Sequence, residues 1–179
     1  MAELLNGGKK GGESPPNVLE GPLAGLHDIV ALFMEQAKGF MELLGITAEQ
    51  VEFAYEYGLG LYQAGKYDEA KHVFYLLSQL NEKDPRFPFA YASCCSKLKD
   101  LTAAIQYYSL SAMLDGENPA VWYNIGDCYL QKQEFKLSAM MLDVAIDKAG
   151  VHPEHSSIRN DAESLRQIAL HHGGGDKSS

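Results

Sequence analysis

The sequence predicts an all-α fold: three tandem helical hairpins, preceded by one amphipathic helix and closed by another. Three observations carry this expectation. Pro85, Pro119 and Pro153 fall 34 residues apart, and Tyr67, Leu101 and Phe135 keep the same step, each behind a charged residue, Lys66, Asp100 or Glu134. Small residues recur in phase, Gly58, Ala92 and Gly126 on one line and Ala70, Ala104 and Ser138 on another. Bulky Phe74, Tyr108 and Leu142 follow at the same interval. A single hairpin cannot bury its own apolar face, so units repeated at this period must stack into a solenoid around a continuous core.

A 34-residue period with this arrangement of small residues, aromatics and prolines is that of the tetratricopeptide repeat, and the expected repeats run from about 51–84, 85–118 and 119–152. Each element has its own local reason. Residues 1–22 carry Gly7-Gly8, Gly11-Gly12 and Pro15-Pro16 with few apolar side chains, too little to offset the entropy of ordering, and are expected to be a disordered tail. From Leu23, the residues Leu26, Val30, Phe33, Ala37, Phe40 and Leu44 recur at steps of three and four, with Gly45 as a stop, so 23–46 is read as a helical segment. Ile29, Met34 and Met41 broaden its apolar face. That face either caps the first repeat or meets a second subunit through Leu26, Val30, Phe33, Met34, Phe40 and Met41.

Thr47 with Gln50 is a capping-box pattern that opens the repeat domain, 47–171. In each repeat a first helix is followed by a second, which the resemblance to the tetratricopeptide repeat implies are an inner and an outer one. The outer helices are expected from about 67 to 80, from 101 to 114 and from 135 to about 149, with turns at Gly65 and Asp100. Asp84 and Asn118 precede prolines at the first helical turn, where the missing N–H is no loss. After Pro153, Ile158, Ala162, Leu165 and Ala169 form an apolar stripe opposite Arg159, Asp161, Glu163 and Arg166, as expected of a terminal capping helix over 153–171. Residues 172–179 are expected to be a disordered tail.

Composition excludes several functions. With 46% hydrophobic and 22% charged residues the chain is an ordinary globular one of 179 residues. A net charge of −9, a pI near 5.1 and no basic run beyond Lys9-Lys10 leave no footprint for nucleic acid. No apolar run approaches a membrane span and no leader pattern opens the chain, so it is expected to be cytoplasmic, with no direct membrane insertion. Cys94, Cys95 and Cys128 are odd in number and sit within expected helices, which suits a reducing compartment.

Catalysis finds no constellation. His152 and His155 lack further ligands at metal spacing, Cys94-Cys95 is not a C-x-x-C pair, and Gly58-Leu59-Gly60 lacks the rest of a phosphate loop. His27 and His72 have no paired nucleophile. No metal or cofactor is expected, and the protein is read as a non-enzyme.

The repeat's resemblance to the tetratricopeptide family implies that its first helix lines a concave surface. Counting from Val51, Pro85 and Pro119, positions 4, 7, 8, 11, 20, 24 and 27 would be core, including Tyr57 in the first repeat and Trp122, Ile125 and Tyr129 in the third. Positions 2, 5, 9 and 12 would face the groove. The expected lining is therefore Glu52, Tyr55, Leu59 and Tyr62, then Arg86, Phe89, Ser93 and Ser96, then Ala120, Tyr123, Asp127 and Leu130. So many large apolar side chains on one surface call for a partner, and an extended peptide fits; aromatic anchors are common hot spots. The carboxylate clamp of chaperone-tail binders is not present, because the positions that need Lys and Asn hold Tyr55 and Leu59, and Asn124 does not substitute for it.

The run from Tyr62 to Ala70, Tyr-Gln-Ala-Gly-Lys-Tyr-Asp-Glu-Ala, with Val73-Phe74 and Asp84-Pro85-Arg86-Phe87, goes further. It resembles the class II chaperones of bacterial type III secretion, the SycD/LcrH-like family. The resemblance covers about 33–149 and implies a generally homodimeric chaperone that keeps hydrophobic translocator proteins soluble and apart. It also implies that an extended Pro-x-Leu-x-x-Pro-like segment sits in the groove, with Tyr55, Leu59, Tyr62 and Phe89 forming the anchor pockets and Ser93, Tyr123 and Asp127 continuing the seat. Ser138 for alanine, Trp122 and the Gly/Lys-rich tail depart from the family pattern. The alternative is an adaptor of the same repeat type with another apolar extended ligand.

Overall fold

The structure, a computed structural model, describes residues 45–174. The expected tail over 1–22, the expected helix over 23–44 with its candidate interface residues, and residues 175–179 lie outside the described residues. Those described form seven α-helices with no strand: α1 Ala48–Gln63, α2 Tyr67–Leu80, α3 Arg86–Lys97, α4 Leu101–Leu114, α5 Pro119–Gln131, α6 Phe135–Ala149 and α7 Ser156–Gly174, the last entered through a short 3-10 turn, Pro153–His155. Each helix packs on the next in sequence, and α7 also meets α5.

Side chains near the helix starts fix three of them. Thr47 Oγ1 accepts from the Gln50 N–H at 3.2 Å while Gln50 Oε1 accepts from the Thr47 N–H at 2.9 Å, a reciprocal box that serves two otherwise unpaired donors. Asp84 Oδ1 accepts from the Arg86 N–H at 3.0 Å across Pro85, and Asn118 Oδ1 accepts from the Ala120 N–H at 3.0 Å across Pro119. The prolines thus mark where the inner helices α3 and α5 begin.

The inner helices end alike. Gly65, Lys99 and Gln133, 34 residues apart, all adopt left-handed φ values of 77°, 66° and 62°. In each turn the next residue's N–H reaches back to a carbonyl five residues earlier: Lys66 to Leu61, Asp100 to Cys95 and Glu134 to Tyr129, all at 2.9 Å. This is the bonding of a glycine-type helix stop. The turn expected at Asp100 is therefore centred one residue earlier, and Asp100 instead caps α4 by accepting from the Ala103 N–H at 3.1 Å.

The small residues at repeat position 8 exist because the outer helix presses against them. A Cβ added at Gly58 would lie 2.7 Å from Phe74 Cε1, and one at Gly126 would lie 2.6 Å from Leu142 Cγ. Ala70, Ala104 and Ser138 are fully buried at the matching position of the outer helices. Ser138 is accommodated because its hydroxyl donates to the Gly126 carbonyl at 2.8 Å, pairing a group that burial would otherwise leave costly. Trp122, the other departure in this repeat, donates its Nε1–H to the Gly116 carbonyl at 2.8 Å.

Two expectations change. Tyr57 is 56% exposed rather than core, and Phe53 is 75% exposed, although their counterparts one repeat on, Tyr91 and Phe87, are partly and fully buried. In the second repeat those positions pack against the preceding outer helix, and among the described residues no element stands before α1. The terminal helix also runs through residues 172–174, which were expected in the tail, because the His172 ring stacks on Phe135 at 5.3 Å and 24°. Its inner face buries Ala162 and Ala169, while Arg159 bonds Glu163 at 3.0 Å and the Gly150 carbonyl at 2.8 Å.

Candidate functional site

On the inner side of the stack, a cleft of about 370 Å³ runs across all three repeats. Its walls are Tyr55, Leu59 and Tyr62 from α1, Phe89, Ala90, Ser93, Ser96 and Lys97 from α3, and Asn124 and Asp127 from α5. Phe74 and Tyr108 from the outer helices complete the lining between them. One side chain per helical turn faces the same way, so residues 55, 59 and 62 line one continuous strip.

The first-repeat end is aromatic. Tyr55 packs at 5.7 Å from Phe74 and 5.6 Å from Phe87, and Tyr62 meets Tyr67 edge-on at 5.1 Å. Burial is the main cause that raises both the Tyr55 and Tyr62 hydroxyl pKa values, with the Arg86 charge pulling Tyr55 partly back. Arg86 stacks over Tyr55 at 4.9 Å and donates to Asp84 Oδ2 at 2.7 Å and Glu52 Oε1 at 2.5 Å. Those hydrogen bonds, to Asp84 first and Glu52 second, raise its pKa further. Partial burial works against the Asp84 carboxylate, yet the bonds from Arg86 leave its pKa below the usual range.

The other end is polar. Ser93 Oγ donates to the Phe89 carbonyl at 2.9 Å and lies 2.9 Å from the Tyr108 hydroxyl, whose pKa burial raises strongly. Asn124 spends its amide donor on the Ala120 carbonyl at 2.7 Å. Lys99 donates to Gln131 Oε1 at 2.9 Å, and Gln131 in turn donates to Asp127 Oδ2 at 2.7 Å.

Of the twelve expected lining residues, the structure brings Tyr55, Leu59, Tyr62, Phe89, Ser93, Ser96 and Asp127 around this one cleft, and it does not bring Glu52, Arg86, Ala120, Tyr123 or Leu130. Arg86 stands on the rim, held outward by its two carboxylates. Tyr123 packs instead beside the Leu142, Ala145 and Ala162 cluster under α7. Leu130 is partly buried on α5 outside the cleft. Sequence reasoning missed Phe74, Ala90, Lys97, Tyr108 and Asn124 as lining. The phased bulky residues Phe74 and Tyr108 were a usable signal: at that position, opposite a small residue, a ring can reach between two inner helices and lie beneath the concave side.

Other candidate chemistry is placed as packing. Cys94, Cys95 and Cys128 are free thiols in the core, and burial pushes Cys128 up to about 11 and Cys94 up to about 12, the reverse of an activated nucleophile. His152 and His155 lie 6.2 Å apart, and no group of three or more metal-binding side chains occurs among the described residues. No described helix is long and apolar enough to cross a membrane.

Fold and cleft together define a tetratricopeptide-type repeat protein with a cleft on its inner side. No family model matches the chain. Low calcium response locus protein H of Yersinia pseudotuberculosis is 28% identical over 120 residues, covering 67% of this chain and 71% of that protein. Among solved structures, PcrH bound to the chaperone binding region of PopD is 26% identical with a TM-score of 0.70, over 72% of this chain and 97% of that one. SycD, the type III secretion translocator chaperone of Yersinia enterocolitica, is 27% identical with a TM-score of 0.67, over 72% and 96%. A secretion complex from Aeromonas hydrophila shares the fold at 24% identity and a TM-score of 0.76, over 83% and 99%. The chain is homologous to low calcium response locus protein H, and its structural neighbours are the type III secretion translocator chaperones SycD and PcrH.

Proposed function

We propose that this protein is a cytoplasmic, non-enzymatic chaperone of a bacterial type III secretion system that seats an extended segment of a hydrophobic translocator in its inner cleft. The observation that carries this reading is the aromatic strip of Tyr55, Leu59, Tyr62 and Phe89 along one cleft, in a chain whose relatives PcrH and SycD have been solved with segments of PopD and YopD. A segment of the Pro-x-Leu-x-x-Pro type suits such a seat, since proline holds it extended before docking and little chain entropy is lost. Burying three apolar anchors at about 25 cal/mol per Å² would supply several kcal/mol without a deep pocket.

Replacing Tyr55 and Tyr62 together with alanine should abolish translocator binding in calorimetry while helical circular dichroism persists. Retained binding would remove the cleft from the mechanism. Co-purification from the native cell should recover a secreted protein with long apolar segments. SycD has been solved with an alternative dimer, and the same association is proposed here: light scattering of the full chain should give twice the monomer mass, and deletion of residues before Thr47 should halve it.

A further inference from the structure

The charged groups of the cleft stand in opposite states. Arg86, at the first-repeat rim, is already held by two carboxylates, Glu52 and Asp84, so it has little to offer an acidic ligand. Asp127, at the third-repeat end, is partly buried and lines the cleft. Among the described residues its carboxylate accepts one neutral hydrogen bond, from Gln131 to Oδ2, and forms no ion pair. Its charge is nevertheless felt nearby: burial first and then Asp127 push the Tyr123 hydroxyl up.

A second acceptor points the same way. Asn124 lies one helical turn before Asp127 on α5, also lines the cleft, and donates one N–H of its amide to the Ala120 carbonyl, while its side-chain oxygen accepts no bond among the described residues. Two acceptors at helical spacing, one of them a carboxylate with no ion pair among the described residues, form a seat for a donor-rich cation. Lys97 borders the same cleft, but it is exposed on the last turn of α3, where water and the helix C-terminus both stabilise its ammonium. The partly desolvated carboxylate is the group that gains from a new partner.

We propose that the third-repeat end of the cleft is a subsite for a Lys or Arg side chain of the bound segment, contacting Asp127 and Asn124 while the apolar anchors lie against Tyr55, Leu59 and Phe89. This rests on the reading that the cleft seats an extended peptide. The subsite gives the ligand a direction, because one end of the cleft selects apolar groups and the other a cation, and it excludes segments with an acidic residue at that place.

The test uses the full-length protein and synthetic peptides with a Pro-x-Leu-x-x-Pro core flanked, at either end, by Lys, Gln or Glu. Calorimetry should show one Lys peptide binding about fivefold tighter than its Gln counterpart, the advantage of a partly screened ion pair, and shrinking with added salt. Asp127→Asn should erase that preference, and Asp127→Lys should turn it toward the Glu peptide. An unchanged Lys-to-Gln ratio in Asp127→Asn, or none in the wild type, overturns the subsite while leaving the cleft as a peptide seat. Failure of every peptide to bind the wild type overturns the seat and the subsite together.

Discussion

The Tyr108 hydroxyl lies 2.9 Å from Ser93 Oγ, so a side chain of an outer helix is tied to the wall of the inner cleft. Tyr108 is only 1% exposed, and the bond satisfies a phenol that could not otherwise remain buried at low cost. Tyr108→Phe should lower stability by about 1 kcal/mol in urea unfolding. Ser93→Ala made on top of it should cost less than Ser93→Ala made alone, because the shared bond is already gone.

The close approach of paired helices makes glycine substitutions diverge. Among the described residues Gly60 has nothing within 4 Å of an added Cβ, whereas Gly126 would place one 2.6 Å from Leu142 Cγ. Both lie inside helices, so alanine brings the same gain in helix propensity. Gly60→Ala should therefore stabilise by roughly 0.5–1 kcal/mol, and Gly126→Ala should destabilise by about 1–3 kcal/mol because the clash outweighs that gain. Thermal melts of the two variants should move in opposite directions.

The three left-handed turns make a further pair of opposite effects. Lys99 and Gln133 hold φ values of 66° and 62°, where a Cβ is unfavourable, and glycine already stands at the equivalent Gly65. Lys99→Gly and Gln133→Gly should each stabilise by up to about 1 kcal/mol, and Gly65→Ala should destabilise by a similar amount. The Lys99 bond to Gln131 would be lost on substitution, so Gln133→Gly is the cleaner measurement.

The buried thiols predict a response to alkali. Burial holds Cys128 protonated to about 11 and Cys94 to about 12 in the fold. In the unfolded chain a thiol loses its proton near pH 8.5. Above that value the folded state binds more protons than the unfolded one, so stability should fall as pH rises through about 9 to 11. Thiol-reactive dye at pH 8 should label the native protein slowly, with denaturation exposing all three cysteines. Fast labelling of the native protein would contradict their placement in the core.

The outer helices were closely legible, because a charged residue before Tyr67, Leu101 and Phe135 and the left-handed turn ahead of it fix where each begins. Seven cleft residues were legible for the same reason, since position within a repeat determines which way a side chain points. Tyr57 was not, because its repeat position is buried only when an outer helix precedes it, and periodicity does not reveal an end of the array. Tyr123 lies outside the cleft because α7, a non-repeat element, packs over the third repeat and Tyr123 packs against the cluster they share. Phe74 and Tyr108 were read as core only; a ring fully buried between two helices can also form the floor beneath a cleft, a dual role that a single assignment per position hides.

The cleft draws on α1, α3 and α5 and reaches through them to Phe74 and Tyr108. Such a surface has no existence in any single hairpin. It is a property of the joints between units, so loosening one joint removes the seat entirely while leaving nearly all the hydrogen bonds within each helix. Recognition should therefore fail earlier on heating than helicity does, and a ligand spanning the units would act as a splint that makes them unfold as one.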